Sequence, residues 1–150
     1  MELPAIGRLL EIAALLGAAA LFGGIIGLQR ERVGKAAGLR THMLVSLGTA
    51  FFVLGASEAG LSDEGMSRVI QGLATGIGFI GGGAILKLSR EREIRGLTTA
   101  ASLWMTTAIG VAAGLGLIWV ALLGSVLTLI ILSVIGRLEH ALEHEPREGA

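Results

Sequence analysis

Two short phrases carry most of the reactive side chains in this sequence. The first reads Arg30-Glu31-Arg32, then a gap, then Gly38-Leu39-Arg40-Thr41; the second reads Arg90-Glu91-Arg92, then Gly96-Leu97-Thr98-Thr99. Each sets arginines beside a Gly-Leu pair that opens an apolar run. If that run is a helix, its first N–H groups lack intrahelical partners and carry partial positive charge, so the helix start attracts anions. Arg40 and the loop arginines add to this, and Thr41 with Thr98 or Thr99 can cap the first turns. Arg30, Glu31, Arg40, Thr41, Thr98 and Thr99 therefore form a candidate site for a lipid phosphate, a nucleotide phosphate or an acidic partner segment. In the plainer alternative the arginines only set topology and the threonines only cap.

Other polar groups are sparse. Glu11, Arg68 and Gln71 are the candidate polar or cation contacts, with Arg68 and Glu11 a possible pair near the outer ends of two helices. Thr75 and His42 are further polar groups at membrane depth. No carboxylate falls in the middle of an apolar run, whereas Mg²⁺ prefers carboxylate oxygens and retained waters, and coupled carriers place an ionisable group in the path. Gly72, Gly76, Gly78, Gly81, Gly82 and Gly83 form a second feature. Gly72/Gly76 and Gly78/Gly82 have the small-xxx-small spacing of close helix packing; the same run could instead line a pore or break its helix and expose carbonyls. His140-Ala141-Leu142-Glu143-His144 matches a zinc-peptidase pattern, but only six residues follow it. With no triad and no P-loop lysine, no enzyme is expected, and no cofactor beyond Mg²⁺ as an ion transported or sensed.

The elements that must position these residues are membrane helices. The chain of 150 residues is 53% hydrophobic and only 16% charged, against about 25% in soluble domains. The absence of cysteine excludes disulfides and thiolate metal sites, and a net charge of +0 provides no basic surface for nucleic acid. A span needs roughly 17–25 apolar residues. The runs Ile12–Leu28, His42–Ser57, Val69–Leu88, Leu97–Ala113 and Leu115–Ile135 give an all-α, five-span domain over 1–137 and a polar cytoplasmic tail over 138–150. The first run reads as retained rather than as a cleaved signal. Basic residues crowd the first and third loops, while the second, Glu58–Ser67, is acidic. The positive-inside rule then places the N-terminus outside and the C-terminus in the cytoplasm, with Trp119 at the outer interface.

The phrases also mark a repeat. A shift of 60 lays Arg8-Leu9-Leu10-Glu11 on Arg68-Val69-Ile70-Gln71 and Arg30-Glu31-Arg32 on Arg90-Glu91-Arg92; a shift of 58 lays Thr49-Ala50 on Thr107-Ala108. Helices one and two thus match three and four in the same orientation, with a fifth added. Parallel repeats have an axis along the membrane normal and sites between the halves.

Three ordered blocks resemble the MgtC/SapB family: Gly27 to His42, Arg68 to Ile85, and Gly96 to Trp104. The resemblance runs from about Gly23 to Gly116. It implies a multi-pass bacterial inner-membrane protein linked to low-magnesium adaptation and, in pathogens, to survival inside macrophages. Family members are often labelled Mg²⁺ transporters, although regulation of other membrane proteins, the ATP synthase included, is better supported for virulence members. The chain looks like the short, SapB-like form without the soluble C-terminal domain. It departs from the family pattern at Gln29, where Glu is frequent, and at Met66-Ser67, where Asp-Pro is common.

Two functions follow as expectations. One is a Mg²⁺ or small-ion transporter associated with magnesium homeostasis. The other is a non-transporting regulator that binds partner membrane proteins through glycine-rich helices. Small-residue faces also imply self-association, most simply a dimer, and the surroundings are membrane lipids.

Overall fold

The computed structural model describes residues 5–88 and 93–135. Five helices run in chain order: α1 (Ile6–Arg32), α2 (Leu39–Glu58), α3 (Asp63–Gly83), α4 (Leu97–Gly114) and α5 (Ile118–Ile130), the last continued by a π-helical turn over Ile131–Ile135. Two three-residue strands, β1 (Leu86–Leu88) and β2 (Glu93–Arg95), pair antiparallel between α3 and α4. This hairpin, absent from the sequence reading, shortens the third helix. α3 stops at Gly83 after three consecutive glycines, each about 1 kcal/mol poorer than Ala in a helix interior, and the Val69–Leu88 helix expected from hydropathy loses its last five residues. The glycine run itself does not break the helix, which is continuous through Gly76, Gly78 and Gly82.

α1, α2 and α4 are long and apolar enough to cross a membrane, and α5 with its π turn is a shorter apolar helix. Large apolar side chains such as Phe51, Phe52, Phe79 and Trp119 face outward rather than into the bundle, which is tolerable where the solvent is lipid. α2 and α4 lie side by side at the centre; α1 packs on both, α5 on α1 and α4, and α3 on α4 and more lightly on α2. Contacts at successive turns, His42 with Ser102, Ser46 with Gly110 and Ala50 with Gly114, show that α2 and α4 run in the same direction. That is the relation a parallel repeat of two hairpins requires.

Two glycine pairs make this centre possible. A Cβ on Gly23 would lie 2.5 Å from the His42 carbonyl oxygen, and one on Gly27 would lie 2.8 Å from that of Gly38. On α4, the equivalent distances are 2.5 Å from Ser46 O for Gly110 and 2.9 Å from Ala50 O for Gly114. Both pairs are spaced four residues apart, so one face of α1 and one of α4 clamp the α2 backbone from either side. Around them Ala19, Phe22, Ile26, Ala50, Ile109, Ala113 and Ala121 fill the core.

At the far end of the bundle the ion pairs differ from expectation. Arg8 is bound by Glu58, with Nε donating to Oε1 at 2.9 Å, and by Glu11 at 2.7 Å. Arg68 pairs with Glu64 on its own helix. The Arg68–Glu11 pair is not formed, because α1 lies against α2 and α4 rather than against α3.

Candidate functional site

The turn after α1 and the start of α4 meet at the basic end of the bundle. Arg30, in the last turn of α1, is only 3% exposed, and its Nη2 donates to Thr99 Oγ1 at 3.2 Å. Beside it His42 is fully buried on α2. His42 Nδ1 lies 3.0 Å from the Gly38 carbonyl, which can only accept, so the proton sits on Nδ1; Nε2 lies 3.3 Å from Ser102 Oγ. With Nδ1 protonated, Nε2 can only accept, so the one Ser102 proton goes either to Nε2 or to the Thr99 carbonyl, which lies 2.8 Å from Oγ. Arg30, His42, Thr99 and Ser102 thus form one polar cluster linking α1, α2 and α4, the helices joined by the glycine clamps.

The two helix starts are treated differently. α2 begins after Gly38, and its first N–H, that of Leu39, donates 2.7 Å to Glu31 Oε2. The cap is therefore a carboxylate reaching across from α1, and Thr41 does not cap. α4 begins after Gly96, which holds φ at +97° where a Cβ would fall 2.0 Å from Ala84 O, and no side chain caps it. Neither Thr98 nor Thr99 fills the capping role; the Thr99 hydroxyl accepts from Arg30 instead. Both starts follow a glycine that offers no side chain, so the cap has to come from elsewhere.

Of the six residues expected at this site, Arg30 and Thr99 are in contact, Glu31 caps the neighbouring helix, and Arg40 and Thr98 are exposed at the first turns of α2 and α4. Arg90, Glu91 and Arg92, and the His140–His144 motif with the tail, lie outside the described residues. His42 and Ser102 complete the cluster. The signal for His42 was present in the repeat, which aligns Arg40-Thr41-His42 with Thr98-Thr99-Ala100 and so marks His42 as special to the first half; Ser102 carried no such signal.

The glycines of α3 do not do what their spacing suggested within this chain. A Cβ on Gly72, Gly76, Gly78, Gly82 or Gly83 meets nothing within 4 Å, and Gly81 only touches Ala100 at ordinary contact distance. Gly72 and Gly76 instead floor an open apolar groove of about 720 Å³ between α3 and α2, walled by Leu44, Phe52, Leu73 and Ile80. Gln71 is exposed on α3. Hydroxyls at membrane depth are satisfied locally: Thr106, Thr107, Ser125 and Thr128 each donate to the carbonyl four residues back. Ser46 Oγ and Gln29 Oε1 are buried with no partner among the described residues. No cluster of three or more His, Cys, Asp or Glu suited to a metal is found among the described residues.

The family model described as MgtC family matches residues 16–141, which takes in α2 to α5 and the part of α1 from residue 16 onward. The chain belongs to the MgtC family. Among relatives of this MgtC-family protein, Protein SrpB of Synechococcus elongatus is 42% identical, over 89% of the chain and 79% of that protein. A protein of Escherichia coli K12 named "Putative magnesium transporter YhiD" is 44% identical over 80% of the chain and 58% of its own length. Protein MgtC of Brucella abortus strain 2308 is 40% identical over 95% of the chain and 59% of its own length. The chain thus spans less than two thirds of YhiD and of the Brucella protein. No solved structure matches it.

Proposed function

We propose that this MgtC-family protein is a five-span bacterial inner-membrane protein of magnesium homeostasis that acts by binding other membrane proteins, not by passing Mg²⁺ through its own bundle. The relation to magnesium rests on the name of its YhiD relative. Topology rests on charge: Arg30, Arg32, Lys35 and Arg40 lie at one end of the helices, and Glu58, Asp63 and Glu64 at the other. The positive-inside rule then puts the N-terminus outside.

The observation that carries the regulatory reading is the contrast between glycine pairs. Gly23/Gly27 and Gly110/Gly114 each receive a helix backbone at under 3 Å, whereas Gly72/Gly76 and Gly78/Gly82, with the same spacing, receive nothing. In lipid, such faces are used for close helix approach, and the closed pairs within the bundle support a helix as what fits them. The occupant of the α2–α3 groove is a transmembrane helix of another membrane protein. A photo-crosslinking residue at Gly76, in cells, tests this. The expected result is an adduct of one defined mass that maps to a transmembrane segment of a partner and is lost on Gly72→Leu. Adducts only to lipid or only to a second copy of the chain would overturn it.

The transporter reading is favoured by the name of the E. coli relative YhiD. Against it stand the clamped interior, in which glycine faces close on backbone, and the charge buried among the described residues, Arg30, which is a cation. Mg²⁺ binds through carboxylate oxygens and its own waters, and the described interior offers no carboxylate.

A further inference from the structure

Arg30 is buried beyond what packing or topology requires. Its Nε has no acceptor among the described residues, and none of the ion pairs found there includes it. A guanidinium keeps its charge in proteins, and an unpaired buried charge is costly. Its surroundings add to the cost. Thr99 belongs to the first turn of α4, where the N–H groups of Leu97, Thr98 and Thr99 precede the first intrahelical bond, from Ala100 N–H to Gly96 O at 2.8 Å. That end carries partial positive charge and has no capping side chain. At α2 the same need is met by the Glu31 carboxylate. At α4 a buried cation and a positive helix end face each other with no anion among the described residues.

We propose that this junction binds an oxyanion of the phosphate class, held by Arg30, the Thr99 hydroxyl and the first N–H groups of α4. Helix N-termini hold phosphate through their free N–H groups, and the free Nε edge of a guanidinium adds a charge-assisted bond to a second oxygen. Thr98 and Arg40, on the first turns of α4 and α2, are exposed at this basic end. A lipid headgroup and a free phosphate share this chemistry. The inference stands whether or not α3 receives a partner helix.

The test uses the full purified chain in detergent, with unfolding followed against inorganic phosphate, and native mass spectrometry after reconstitution with phosphatidylglycerol or with phosphatidylcholine alone. The expected result is a saturable upward shift of the unfolding midpoint with phosphate, or one retained phosphatidylglycerol per chain. Either is lost at least tenfold in apparent affinity in Arg30→Gln and kept in Arg8→Gln, at the opposite end. The first arm identifies a free phosphate and the second a headgroup; both support the class. Arg30→Gln is itself expected to be no less stable than the wild type without phosphate, since it removes an unpaired charge. No response in either arm, or an equal response in Arg30→Gln, would overturn the proposal.

Discussion

Gly110→Ala offers the sharpest test of how the bundle is held. The new Cβ would lie 2.5 Å from the Ser46 carbonyl oxygen, 2.9 Å from Thr49 Cβ and 3.1 Å from Ser46 Cα. Two of these are backbone atoms, which cannot rotate away, so α4 must move off α2 by roughly 1 Å to reach the 3.5–4.0 Å of ordinary carbon contacts. Overpacking of this kind costs about 1–3 kcal/mol, and a gap of that size forfeits about a quarter to a half of each affected dispersion contact. Better helix propensity returns up to about 1 kcal/mol. The net expectation is a loss of about 2 kcal/mol, roughly thirty-fold in the folded-to-unfolded ratio. Gly76→Ala, where nothing lies within 4 Å, keeps the propensity gain and is neutral or slightly stabilising. Unfolding of the two purified variants by denaturing detergent can be followed through the fluorescence of Trp104 on α4 and Trp119 on α5. Equal stability of Gly110→Ala and wild type, or an equal loss in Gly76→Ala, would refute the assignment of the clamping faces.

Two further outcomes follow from the ends of the bundle. Glu31→Ala removes the carboxylate that accepts from Leu39 N–H, and the same unfolding assay should show a loss of about 1 kcal/mol, typical of a helix cap, whereas Thr41→Ala leaves stability unchanged. Arg8→Gln, although it breaks two ion pairs with Glu11 and Glu58, should shift the unfolding midpoint little and less still in high salt, because exposed pairs contribute weakly and are screened.

The helices were legible because apolar length is a direct requirement of the bilayer, and four of the five begin or end within a few residues of the hydropathy runs. The parallel relation of α2 and α4 was legible through aligned polar residues. What could not be read was which helix faces pack. In water an amphipathic stripe marks the buried side, but in lipid the outward face is apolar as well, so Phe79 outside and Ile26 inside look alike in sequence. Glycine density therefore pointed to α3, while the glycines in close contact were the sparser pairs Gly23/Gly27 and Gly110/Gly114. The caps were misread for a similar reason. A threonine after Gly-Leu stands at the third position of the helix, past the capping residue, and the acceptor at α2 came from Glu31 on another helix. The burial of Arg30 was hidden because it shares its motif with Arg32, which is exposed.

The central claim is that the bundle of one chain holds no route for Mg²⁺, and flux through purified protein in liposomes tests it most directly. With a magnesium-sensitive dye inside the vesicles, and monovalent ions run in parallel, the account predicts uptake no greater than in protein-free vesicles, with Gly82→Leu behaving as wild type. Magnesium uptake that requires the protein and is abolished by Gly82→Leu would contradict it.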